Sequence, residues 1–196
     1  MVTVQHTWMS FVDGENFTIR GQELAESRGV GLLEGRWYKR DCFLWMPRWR
    51  AGSRPAGHYM TLQGSAIRAS YYTSVQGDDV ALREVTERLW DLGFNPCVFK
   101  KQDRTRKAKG VDIALTKDIL SHAFLGNYQA VVLVAGDGDY IPLVDEVKRL
   151  GKRVILWFFE SEGLSRELRL RCDRFFDLTD SFLSHWRTKP NAPLSQ

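Results

Sequence analysis

AVVLVAGDGDYIPLVDEVKRLGKRVILWFF, residues 130–159, spells out a strand, a turn, a helix and a second strand without interruption. Ala130 to Ala135 is a short apolar, β-branched run that stops at the turn-forming Gly-Asp-Gly-Asp, the pattern of a buried strand. From Tyr140 onward the apolar period lengthens, with Ile141, Val144, Val147 and Leu150 at helical spacing and Pro142 tolerated because it falls in the first turn. Arg153 to Phe159 is apolar again and reads as another buried strand. A strand, helix, strand unit of this kind pairs its strands in parallel through a right-handed crossover. It delivers Asp137 and Asp139 to the carboxyl end of the first strand, where open α/β sheets bind their ligands.

Working outward, the same alternation continues. Trp8 to Val12, Ile67 to Thr73 and Cys97 to Lys100 are short apolar or aromatic runs bounded by turn residues, and Phe175 to Leu178 suits a minor edge strand. Leu82, Val85, Leu89 and Leu92 form a helical stripe that Asp78 or Asp79 can cap and Gly93 can end; Leu115, Ile119 and Ala123 form a second. Strands alternating with helices predict a three-layer α/β/α sandwich with a mainly parallel central sheet. The 196 residues suit one domain, expected over 1–188, with a flexible polar tail over 189–196. Residues from about Val30 to Gln63, rich in Trp, Tyr, Phe and Arg, break the alternation and read as an insertion after the first helix. Its CFLWM run suits an added hairpin.

The three cysteines, Cys42, Cys97 and Cys172, are widely spaced, with no CxxC pair and no histidine at zinc-finger spacing, which disfavours disulfides and structural zinc. The net charge of +4 permits a phosphate-rich partner without demanding one. No apolar run approaches the roughly 20 residues that span a bilayer, and no signal-peptide pattern opens the chain. The expectation is a soluble cytoplasmic protein with no membrane contact; a homodimer is one open option for its oligomeric state.

Chemistry concentrates in carboxylates. In FVDGEN an apolar strand runs straight into Asp13; KGVDIALTKD places Asp112 at a helix start; GDGD supplies Asp137 and Asp139. Each alone is as well explained as a cap or turn residue. Together they bring acidic residues from three strand–helix junctions to one rim. Like charges a few ångströms apart resist joint ionisation, and a divalent cation removes that penalty. Asp and Asn without His or Cys favour Mg2+ or Mn2+ over zinc, and such ions can activate water and stabilise the leaving oxygen of a phosphodiester.

The segments FVDGEN, KGVD with its downstream Asp118, and VAGDGDYIPLVDEVKRLGKRV resemble the NYN domain, the LabA-like branch of the PIN-like nuclease superfamily, over roughly Thr7 to Leu178. Ala69 to Ser74 resembles that family's second strand. The resemblance implies a sheet of order 3-2-1-4-5 and metal-dependent endonucleolytic cleavage of RNA. Carried over by position, Asp13, Asp112, Asp137 and Asp139 match the acidic metal site and Asn16 the polar residue after the first Asp. Asp118 lies about 240° around an ideal helix from Asp112, so it is expected to be structural.

Beside the acidic set, FKKQDRTRKAKG supplies Lys101, Arg104, Arg106, Lys107 and Lys109, candidates for sequence-independent phosphate contacts. Trp37, Trp45 and Trp49 of the insertion could stack unpaired bases or instead form a satellite core. The expected function is therefore a divalent-metal-dependent endonuclease, most simply on RNA. The alternatives are a nucleic-acid-binding or scaffold module without turnover, and a phosphatase. The last is disfavoured because Glu15 stands where such enzymes place a second Asp.

Overall fold

The computed structural model describes residues 7–45, 66–101 and 110–186. In chain order the elements are β1 (Trp8–Asp13), α1 (Gly14–Ser27), β2 (Tyr38–Lys39), β3 (Phe43–Leu44), β4 (Arg68–Gln76), α2 (Asp79–Asp91) and β5 (Asn95–Lys101). They continue with α3 (Val111–Phe124), β6 (Ala130–Val134), a 3-10 turn (Gly138–Tyr140), α4 (Ile141–Arg149), β7 (Arg153–Phe158), α5 (Arg166–Arg171), β8 (Arg174–Asp177) and α6 (Thr179–Trp186).

Six strands form one sheet in the order β5-β4-β1-β6-β7-β8, and every adjacent pair is parallel. Leaving out the short β2–β3 hairpin, this is the expected order, with β8 added at the edge beside β7. The helical layers sort by side-chain alternation. Along β1, Trp8 and Val12 join a cluster with Phe17 and Leu24 of α1, Val85 and Leu89 of α2, and Phe182 of α6. Met9 and Phe11 point the other way, into Leu115 and Ile119 of α3, Val144 and Val147 of α4, and Leu168 of α5. Burial on both faces is why the central strands β1 and β6 read as near-continuous apolar runs and not as alternating ones.

The described part of the insertion carries the hairpin, β2 pairing antiparallel with β3, and its aromatics do not make a separate core. Phe43, Leu44 and Trp45 are buried in the same cluster as α1 and α2, with Trp45 meeting Phe94 edge-on at 4.7 Å. Trp45 is 2% exposed, so it has no face to offer a base. Trp37 is half-buried under the Arg36 guanidinium, 4.8 Å from its ring centre. Trp49, the rest of the insertion and the polar tail lie outside the described residues. Among the described residues, no helix is long and apolar enough to cross a membrane.

Candidate active site at the carboxyl rim of the sheet

The paired registers Asp13 with Tyr72 and Val12 with Val134 place Asp13 at the rim, level with the end of β6. Asp13 is also the N-cap of α1, its Oδ1 accepting the Asn16 backbone N–H at 3.0 Å. Cap and helix meet without a linker because Gly14 follows: a Cβ there would lie 1.9 Å from the Tyr71 ring. From that start α1 presents Asp13, Asn16 and Arg20 at i, i+3 and i+7, which is one helical face. Together with Glu15, Ile19, Val111, Asp112 and Asp137 they line a cleft of about 190 Å³.

Asp112 enters from the first turn of α3 and Asp137 from the loop after β6, where its side chain accepts the Asp139 backbone N–H at 3.1 Å. Asn16 fixes that loop to α1, since its Oδ1 accepts the Gly136 N–H at 2.9 Å. Gly136 is itself pressed between neighbours; a Cβ would meet Phe158 at 2.2 Å. Asn16, which the resemblance matches to the polar residue after the first Asp, thus ties two acidic elements together. Replacing Asn16 with alanine strands the Gly136 N–H and should cost about 1–2 kcal/mol, read as a lower denaturation midpoint with unchanged m-value. An unchanged midpoint would show that the tie is dispensable.

Of the four carboxylates expected to converge, three line the cleft. Asp139 is exposed and absent from the cleft wall, which leaves it at the helix start, where a negative charge suits the dipole. Asp118 accepts the Tyr72 hydroxyl at 2.8 Å, the structural part expected of it. Of the basic residues, Lys101 is described: its Nζ pairs with Glu15 Oε1 at 2.5 Å while Ser74 donates to Glu15 Oε2 at 2.7 Å. Arg104, Arg106, Lys107 and Lys109 lie outside the described residues.

Arg20 and Tyr140 are not among the residues the sequence points to, and Glu15 enters it only as the residue in place of a second Asp. Arg20 stands seven residues after Asp13 in FVDGENFTIR, on the same helical face, so its signal was present, whereas Glu15, two residues on, is not brought there by helical spacing. Tyr140 had no such signal. Its hydroxyl lies 2.8 Å from Asp13 Oδ2 and 3.1 Å from Asp112 Oδ1, so a single phenolic hydrogen sits between two acids.

Burial raises the Asp13 carboxyl to about 7; the Asn16 N–H and the Tyr140 hydroxyl pull it down, and the nearby Asp112 and Glu15 carboxylates push it further up. The Tyr140 phenol is held protonated by burial and by the Asp13 and Asp112 carboxylates. Such crowding of buried negative charge is what a bound cation relieves. The side chains facing the cleft offer carboxylate and amide oxygens and neither sulfur nor imidazole, the donor set of Mg2+ or Mn2+. Among the described residues, no three His, Cys, Asp or Glu side chains form a ready-made metal cage. Magnesium commonly takes one or two protein carboxylates and completes its shell with water and substrate phosphate, so these residues fit such an ion.

No curated protein matches the chain. A solved protein of unknown function from Vibrio parahaemolyticus is similar in fold, at 23% identity and a TM-score of 0.59, covering 93% of this chain and 99% of that one. The family profile described as NYN domain matches residues 9–179, from the strand that delivers Asp13 to the start of the last helix. The chain therefore belongs to the NYN domain family of PIN-like, nuclease-type modules.

Proposed function

We propose that the protein is a Mg2+- or Mn2+-dependent endoribonuclease whose reaction centre is the cleft between Asp13, Asp112 and Asp137. The observation that supports this reading is the meeting of those carboxylates, delivered by three separate strand–helix junctions, at the rim of a parallel sheet. One or two of Asp13, Asp112 and Asp137 would hold the ion directly and the rest through water, and the ion would supply an activated water and a stabilised leaving oxygen; Asp139, exposed beside them, would orient solvent. Lys101 and the basic stretch that follows it would hold the phosphate backbone of the RNA. Such contacts are independent of sequence, so binding should weaken steeply with salt. Arg20, in the cleft wall, adds a cation where charge builds up on the phosphoryl oxygens. The free thiols Cys42, Cys97 and Cys172 suit a reducing compartment, in keeping with a cytoplasmic place of action.

The test is cleavage of mixed RNA and DNA oligonucleotides by purified protein, with and without Mn2+, beside an Asp137→Asn variant. The expected result is Mn2+-dependent RNA cleavage that the variant lacks while keeping its fold. Equal cleavage by the variant rejects the assignment. RNA binding that persists in EDTA, with no cleavage under any metal, turns the reading into a binding module, and faster turnover of a small phosphomonoester turns it into a phosphatase.

A further inference from the structure

We propose that Tyr140 is a positioning residue, its hydroxyl holding the Asp13 and Asp112 carboxylates together as a preset pair for one divalent cation. This rests on the metal-dependent reading above. The ring belongs to the cluster of α3 and α4 and is 3% exposed, so packing fixes where the hydroxyl points. Its own backbone N–H reaches the Asp137 carbonyl at 3.3 Å, which couples the ring to the third acidic element as well. A buried phenol needs one acceptor to be satisfied. This one has two carboxylates, 2.8 and 3.1 Å away, on elements 127 and 28 residues distant in the chain.

The geometry has a direct electrostatic consequence. Two carboxylates that face each other without a donor between them repel and turn apart. With the hydroxyl in place, one hydrogen is shared by the pair from the buried side, since Tyr140 is not part of the cleft wall that Asp13 and Asp112 line. Groups that orient metal-binding side chains in this way typically change affinity 10- to 100-fold when removed. Tyr72 provides an internal control. It too is a buried phenol donating to an aspartate of α3, Asp118, at 2.8 Å, yet neither residue lines the cleft.

Mn2+ is titrated into metal-free wild type, Tyr140→Phe and Tyr72→Phe, with free ion followed by its electron paramagnetic resonance signal and folding checked by thermal melts. The expected result is a Kd raised about tenfold or more by Tyr140→Phe and unchanged by Tyr72→Phe, both variants melting cooperatively. Equal or tighter binding by Tyr140→Phe overturns the positioning role while leaving the metal site standing. An equal loss in Tyr72→Phe also overturns it, because any missing phenol–carboxylate bond would then suffice. No Mn2+ binding to the wild type overturns the metal-dependent reading itself, and this role with it.

Discussion

Asp13→Asn is expected to stabilise the metal-free protein at pH 8 and to leave it nearly unchanged at pH 4. The Asp13 carboxyl titrates at about 7 in the folded chain against 3.8 when free, with burial the main cause. The folded state therefore binds this proton more tightly than the unfolded chain does, and stability falls as pH rises from about 4 to about 7. Above that window the whole penalty is present; below it there is none. A shift of this size is worth on the order of 4 kcal/mol as an upper bound, at 1.36 kcal/mol per pH unit. Asparagine carries no charge and is as good an N-cap as aspartate; its single oxygen keeps the Asn16 N–H, while the Tyr140 hydroxyl retains Asp112 Oδ1 as acceptor. Thermal melts in EDTA across the pH range should show a gain for the variant that opens between pH 4 and 7. A difference that is the same at both ends would mean that the Asp13 charge carries no burial penalty. A side chain that weakens the fold when ionised and aligns with two other acids is what a site built for a cation looks like.

The second large effect is expected at the neighbouring residue. Gly14→Ala should cost about 3 kcal/mol, although alanine is otherwise the better helix former by about 1 kcal/mol. The sign is decided by space. The new Cβ would sit 1.9 Å from Cε1 of Tyr71, a ring that is 1% exposed. That ring has nowhere to go: it lies edge-on to Phe94 at 5.0 Å, and its hydroxyl accepts the Leu44 N–H at 3.2 Å and meets the Thr18 hydroxyl at 3.4 Å. The helix must lift from the sheet instead, taking the Asp13 cap with it. Denaturant titration should show the lowered midpoint, and a Tyr71→Leu background should recover part of it, giving a favourable coupling in the double-mutant cycle. A wild-type midpoint for Gly14→Ala would remove close packing as the reason that glycine follows Asp13.

Much of this fold is legible before any coordinate is known, because periodicity reports which side of a segment is buried. The largely apolar run from Trp8 to Val12, the unbroken one from Ala130 to Ala135 and the helical stripe from Ile141 to Val147 belong to a sheet covered on both faces, and the right-handed crossover then leaves few strand orders to choose from. The same logic sends Asp13, Asp112 and Asp137 to one rim, since each stands where a strand ends or a helix begins. The tertiary structure alone separates Asp137, in the cleft wall, from Asp139, two residues on and exposed. It turns Trp45 from a candidate base-stacking surface into core, pairs Glu15 with Lys101 and Ser74, and places the Tyr140 hydroxyl against acids far away in the chain. The physical reason is range. Hydrophobic patterning acts along a few neighbouring residues, whereas the charge state of a buried carboxyl and the aim of a phenol depend on ångström distances between segments, which exist only after the chain has closed on itself.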